Sequence, residues 1–375
     1  MAGIYIHIPL CATRCIYCDF YSTTLREHGS ELVRALRREM EERADFLHEP
    51  VRTVYLGGGT PSQLGSDLLA QLLAAVEEHY DLSQCEEVTL EANPEDIPTL
   101  KLPARVNRVS MGVQSMVDAE LRLLNRRHNS QRVCEAVAAL RQAGIRNLSL
   151  DLMYGLPTQT LESWAYSIDH VLSLDPEHIS AYNLSVEEGT RLHRMVERGD
   201  LTVCDDDTCL RMAALLRDRL KDAGYVQYEI SNYAKPGFES RHNSSYWVQT
   251  PYIGLGPGAH SYDGERRRSW NAPDLVSYLN NSREEDYELL SDTDLYNERL
   301  MLGLRTARGI DLEELRSLSQ LLNDNTLEPT LASLLERRLI RFKDVDMPSG
   351  QKTYVSLSHE GLALADEVIR ELMVM

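Results

Sequence analysis

The chain has 375 residues, 43% hydrophobic and 26% charged, with a formal net charge of -19. That profile is globular, the length calls for a large domain plus a smaller one, and the acidity sets the chain against duplex nucleic acid. Its basic clusters, Arg126-Arg127-His128 and Arg266-Arg267-Arg268, are short, so no nucleic-acid partner is expected. No run approaches the ~20 apolar residues of a membrane span. The N-terminus has neither the basic region nor the apolar core of a secretory signal, so a cytoplasmic location is expected.

In chain order, β-branched runs at 4–8, 53–56, 88–91, 108–111, 148–152 and 178–182 predict strands. Amphipathic stretches at 31–47, 67–80, 131–143 and 161–174 predict helices between them. Strand–helix alternation repeated about six times implies parallel strands with crossover helices, in an α/β barrel or an open doubly wound sheet. A helix at 205–224 and a strand at 225–230 follow, then Gly/Pro/Tyr-rich loops from 231 to 262. The tail reads as helices at 295–305, 311–322 and 327–337, strands at 339–343 and 353–357, and a last helix at 359–373. That order suggests a winged-helix-like module. Its net charge of -5 over residues 311–375 (12 acidic and 7 basic side chains) points to a lid or protein contact rather than DNA. The expected division is a barrel over 1–235, connecting loops and a helix over 236–290, and the C-terminal unit over 291–375.

In such folds the ligand site lies at the carboxyl ends of the strands. There the sequence collects Cys11, Cys15 and Cys18 after the first strand and Gly57-Gly58-Gly59-Thr60-Pro61 after the second. Glu91, Gln114 and Asp151 follow at the third, fourth and fifth. Three thiols within eight residues suit a metal better than a disulfide framework. A cubane held by three thiolates leaves one iron open to another ligand. The competing reading is a four-coordinate zinc completed by His7 or Cys85. Cys85, Cys134, Cys204 and Cys209 read as structural thiols, with Cys134 buried on a helix.

Cys-x3-Cys-x2-Cys with Tyr17 before the last cysteine, followed by the glycine run after Thr53-Val-Tyr-Leu56, resembles the radical SAM superfamily. The resemblance implies a [4Fe–4S] cluster on the three cysteines. When reduced, that cluster cleaves S-adenosylmethionine (SAM) to methionine and a 5′-deoxyadenosyl radical. Further segments narrow the likeness: Tyr5-Ile-His-Ile-Pro9, Asn107-Arg-Val-Ser-Met-Gly-Val-Gln114, Asp151-Leu-Met-Tyr-Gly-Leu-Pro157, His178-Ile-Ser-Ala-Tyr182 and Gly254-Leu-Gly-Pro-Gly-Ala-His260. Over nearly the whole chain they resemble the oxygen-independent coproporphyrinogen III dehydrogenases and the HemW-type haem chaperones. This implies a partial parallel (β/α)6 radical SAM barrel with a small winged-helix-like C-terminal domain. It also implies that Tyr5, Phe20, Gly57, Gly58, Gly59, Thr60, Glu91, Gln114, Arg126 and Asp151 bind SAM. Arg126 suits its carboxylate, and Glu91 or Asp151 its ribose hydroxyls.

Two features favour the chaperones. The dehydrogenase has a fourth cysteine two residues after the third, where this chain has Phe20. His242-Asn243-Ser-Ser-Tyr246-Trp247 matches the chaperones' His-Asn-x-x-Tyr-Trp signature, which implies haem contact by His242, Asn243, Tyr246 and Trp247. His260 is a second candidate contact. No Cys-x-x-Cys-His or Cys-Pro haem motif occurs. The resemblance thus implies a haem chaperone that delivers haem to acceptor proteins, respiratory enzymes at the membrane among them. It leaves open whether SAM is cleaved and whether the chain is a monomer or a homodimer. One departure stands out: residues 95–106 carry two prolines and are too short for a full crossover helix.

Overall fold

The computed structural model describes residues 2–347 and 350–374. Six parallel strands lie side by side in chain order: β1 (Ala2–Ile8), β2 (Val51–Gly58), β3 (Glu87–Ala92), β4 (Arg108–Gln114), β5 (Asn147–Tyr154) and β6 (His178–Asn183). Between them run α1 (Gly29–Glu42), α2 (Ser66–His79), α3 (Asp118–Leu123), α4 (Ser130–Gln142) and α5 (Leu161–Ser173). The two sides of this curved sheet differ in chemistry, because alternate side chains along a strand point to opposite faces. Ile4, Ile6, Val54, Leu56, Val88, Leu90, Val109, Leu148, Leu150 and Ile179 form one core with Leu32, Leu36, Leu72, Val76, Val133 and Leu140 of the covering helices. Burying each such side chain stabilises by roughly 1.5–3 kcal/mol. The opposite face is polar: Tyr5 and His7, Thr53 and Tyr55, Thr89 and Glu91, Arg108 and Ser110, Ser149 and Asp151, His178 and Ser180. An open barrel with a polar interior follows directly from that alternation.

The short segment 95–106 contains only a 3-10 turn, Ile97–Thr99. Buried Ile97 and Val106, with Leu100 and Leu102 packed beside them, cover β3 and β4 in place of a crossover helix. The first helix stops at Glu42 rather than running to 47, and a separate 3-10 turn follows. Cys134 does lie on a helix, but it faces solvent, since Val133, Ala136, Val137 and Leu140 form the buried stripe of α4.

After α6 (Arg191–Glu197) and α7 (Asp206–Asp222), β7 (Val226–Gln227) and β8 (Asn232–Ala234) close one edge of the sheet, β8 running antiparallel to β6. The region expected to be loops holds regular structure. It contains α8 (Arg241–Trp247), then β9 (Tyr252–Leu255), β10 (His260–Tyr262) and β11 (Arg267–Asn271), and after α9 (Leu275–Leu279) comes β12 (Glu285–Leu289). β9 runs parallel to β1, so the sheet grows to twelve strands in the order β12-β11-β10-β9-β1-β2-β3-β4-β5-β6-β8-β7. Gly254 permits this, because a Cβ there would lie 1.9 Å from the carbonyl oxygen of His260.

The C-terminal unit has its own core around Tyr296, Leu300, Leu315, Leu331, Val355 and Val368. It comprises α10 (Asp292–Leu304), β13 (Ile310–Asp311), α11 (Leu312–Leu321), α12 (Leu327–Glu336), the hairpin β14 (Ile340–Met347) and β15 (Gly350–Leu357), α13 (His359–Ala363) and α14 (Ala365–Leu372). The last helix is thus broken, at Leu364. Three helices followed by a hairpin give the winged-helix-like arrangement. No helix among the described residues is long and apolar enough to cross a membrane.

Candidate functional site

A cavity of about 490 Å³ opens at the carboxyl ends of β1–β6, a size suited to a small molecule. Cys11, Cys15 and Cys18 line its mouth. The loop that carries them is pinned on both sides: Cys11 N–H donates to Thr23 O (2.8 Å), and Thr23 N–H donates back to Pro9 O (2.6 Å). Ile16 N–H donates to Leu124 O, and Leu192 N–H to Ile16 O, while the Ile16 side chain packs against Leu124, Met153, Leu156 and Leu192. Three thiols are therefore presented by a loop held at its base and its tip.

The glycine run is explained by close approach. A Cβ on Gly59 would lie 2.7 Å from the carbonyl carbon of Pro9 and 2.8 Å from Ile8 O. Gly58 has φ 106 and would push a Cβ to 2.5 Å from the His7 ring. Only glycine lets the end of β2 lie against the start of the cysteine loop. Thr60 Oγ1 then sits 3.5 Å from Cys11 Sγ.

Arg126 is the inward-facing member of its pair. One guanidinium nitrogen donates to Asn93 Oδ1 (2.7 Å) and Gly112 O (2.6 Å), and the other lies 3.4 Å from Cys15 Sγ. Arg127 points outward, 3.7 Å from Glu95. Gln114 holds φ 67 at a register shift in β4, a strained backbone of the kind stored at ligand sites. Deeper in, Tyr55 Oη donates to Glu91 (2.7 Å) and the Gly58 N–H to its other oxygen (3.1 Å). Burial pushes the Glu91 pKa up to about 7 and raises that of Asp151, although Ser110 and Ser149 hydroxyls donate to the latter at 3.1 Å.

The cavity thus gathers most of the residues expected to hold SAM: Gly58, Gly59, Thr60, Glu91, Gln114, Arg126 and Asp151, with Phe20 at its mouth, 65% exposed. Tyr5 and Gly57 do not line it. Tyr5 lies behind Tyr55, its hydroxyl 3.0 Å from His7 Nδ1.

The chemistry of the donors fits a cubane better than a single zinc. Among the described residues no three His, Cys, Asp or Glu side chains converge as one ion would need. Thiolates on one tetrahedral zinc, with Zn–S of about 2.3 Å, crowd to within about 4 Å of each other. The proposed fourth ligands are also committed elsewhere. His7 spends its nitrogens on Tyr5 Oη and Tyr21 O. Cys85 precedes β3, at the amino end of the barrel, and bonds Glu87 O.

The signature residues sit differently from expectation. Arg241 and His242 backbone N–H groups donate to the Glu87 carboxylate (3.0 Å each), which ties the first turn of α8 to the amino end of β3. Helix α8 therefore closes the bottom of the open barrel. His242 is 1% exposed, with Thr53 Oγ1 and Tyr246 Oη each 2.8 Å from a ring nitrogen, and it stacks on Tyr55 at 5.1 Å between centroids. Both ring nitrogens are hydrogen-bonded within the protein, and the imidazole packs the barrel floor. Of the four residues expected to contact haem, Asn243 lines the main cavity. Tyr246 faces a separate cleft with Tyr252, Tyr262 and Arg268, and Trp247 lines neither. His260 stacks on Trp270, away from the cavity. Sequence reasoning missed Arg108. Its only signal was an arginine opening a strand of otherwise apolar and small residues.

Comparison with known proteins bears on the family and the fold. Residues 5–171 match the family model described as the radical SAM superfamily, and residues 290–345 that of the HemN C-terminal domain. A protein named heme chaperone HemW from Mycobacterium tuberculosis is 36% identical, over 99% of this chain and 94% of its own. Its namesake from Bacillus subtilis is 34% identical over 98% of both. The chain belongs to the HemW family. A member of wider kinship, radical S-adenosyl methionine domain-containing protein 1 of Danio rerio, mitochondrial by its name, is 32% identical over 100% of this chain and 87% of its own. The solved coproporphyrinogen III oxidase HemN of Escherichia coli superimposes with a TM-score of 0.79 at 21% identity, over 100% of this chain and 90% of that one. This likeness shows that the HemW-family chain and HemN share a fold.

Proposed function

We propose that the protein binds a [4Fe–4S] cluster on Cys11, Cys15 and Cys18, binds SAM beside it, and accepts haem for delivery to haem-requiring proteins. The observation that carries the first part is the convergence of three thiols, the Gly58–Thr60 turn, Gln114, Arg126 and Asp151 on one cavity. When bound, the cluster supplies one-electron chemistry and an open coordination position. This chain's residues do the holding. Arg126, already anchored by Asn93 and Gly112 O, offers a fixed guanidinium to a carboxylate, while Glu91 and Asp151 accept from hydroxyls in a site with little water to compete. Haem is supported by the family and by Phe20 standing where the dehydrogenase pattern has a fourth cysteine. Respiratory enzymes are the proposed acceptors and the cytoplasm the proposed location.

The test is a haem titration of anaerobically reconstituted protein, followed at the Soret band, with a haem-free acceptor then added. Saturable uptake near one haem per chain and transfer to the acceptor are expected. Failure to bind haem, together with restored porphyrinogen oxidation in a strain lacking the dehydrogenase, would replace this reading with the enzymatic one.

A further inference from the structure

The barrel interior holds a cation that no role described so far absorbs. Arg108 is 1% exposed yet lines the cavity, and its Nε and Nη1 are buried with no hydrogen-bond partner. Beside it in register is Thr89, fully buried, whose Oγ1 is also unpartnered. An unpaired buried donor is costly, and a charged one more so, so Arg108 is expensive to maintain without a ligand. The nearby imidazoles do not serve it, since His178 is bonded to Ser149 and Tyr228, and His242 to Thr53 and Tyr246.

Glu91 and Asp151 share this space, and as anions they would oppose a second one. The Arg108 charge acts on both from a distance, lowering their pKa values against the effect of burial, but makes no ion pair within 4 Å among the described residues. Burial raises the pKa of both, to about 7 for Glu91, so one of them can carry a proton when another anion arrives. Of the groups placed to hold SAM, Gly58–Thr60, Gln114 and Arg126 sit around the cysteine loop, while Glu91, in register with Ser110, and Asp151, in register with Gly112, occupy the strand positions between that loop and Arg108. Beside Arg108 the cavity is walled by Ser110, Ser180, half-exposed Tyr182 and Asn243 of α8, which leaves a flank towards β6.

We propose that Arg108 anchors a carboxylate of the molecule that shares this cavity with SAM, and that in the haem-handling reading this carboxylate is a haem propionate. The proposal rests on that reading. A planar guanidinium matches a carboxylate with two parallel hydrogen bonds. It would fix one edge of the macrocycle at the barrel floor and leave the iron free for a ligand that His242, with both nitrogens occupied, does not supply.

The test compares haem with haem dimethyl ester, whose propionates carry no charge, in equilibrium titrations of cluster-loaded wild-type protein. Free haem is expected to bind at least about tenfold more tightly than the diester. In Arg108→Met that preference should vanish, and in Arg108→Lys part of it should return. Equal affinities in the wild type, or an unchanged preference in Arg108→Met, would overturn the anchor and leave haem handling intact. Binding of neither porphyrin would overturn both. The wild-type comparison needs no variant, so a poorly folding Arg108→Met does not blunt it.

Discussion

Replacing His242 by alanine separates a barrel-floor role from a haem-ligand role. The ring is 1% exposed and bridges Thr53 Oγ1 and Tyr246 Oη at 2.8 Å each, while stacking on Tyr55. Alanine leaves two buried hydroxyls without their partner, at about 1–3 kcal/mol each, and opens a void where the ring packed. Partial relaxation brings the expected loss to about 3–5 kcal/mol. Urea unfolding followed by tryptophan fluorescence measures it, with the haem-free protein as the sample so that no ligand contributes. A His242→Ala protein within about 0.5 kcal/mol of wild type that nonetheless lost its haem would refute the structural role and restore the imidazole as a ligand.

Further outcomes follow from the same geometry. Arg126→Met should weaken SAM binding by at least about tenfold in equilibrium titration, whereas Arg127→Met, which faces outward, should leave it unchanged. Gly59→Ala should depress cluster incorporation, measured as iron per chain. Its Cβ would strike the Pro9 and Ile8 backbone. The unfolded Glu91 carboxyl titrates near 4.5 and the folded one near 7, so the folded state holds an extra proton between those values and its stability falls as pH rises through that window. Glu91→Gln removes this slope. Its stability relative to wild type should therefore climb by about 3 kcal/mol from pH 4.5 to pH 8 in denaturant titrations, and a flat difference would contradict the burial argument.

The parts of the fold legible in the sequence were those written in local chemistry. The runs around Ile4, Val54, Val88, Val109, Leu148 and Ile179 announced β1–β6, because each strand presents an apolar row to a helix layer. The cysteine loop and glycine turn were legible for the same reason: three thiols and three glycines have few other uses in that order. What escaped was written in long-range contacts. Helix α8 is seven residues long and composed of indifferent helix formers, and it is held by Ser240 capping Asn243 N–H and by Glu87, more than 150 positions away. No periodicity foretells that bond, so the segment read as a loop and His242 read as available. β9 likewise joins the sheet through pairing with β1, across almost the whole barrel sequence. Arg108 was overlooked because a charge at the first residue of a strand ordinarily faces water, whereas strand alternation here sets it on the polar inner face with Ser110.

Three thiolates that leave one iron free for SAM are central to the proposed chemistry. Electron paramagnetic resonance of the reduced, reconstituted protein, recorded with and without SAM, tests this most directly. The expected result is a [4Fe–4S]⁺ signal whose g values shift when SAM is added and which is lost in Cys15→Ser. A signal indifferent to SAM, or bound zinc in place of iron, would contradict it.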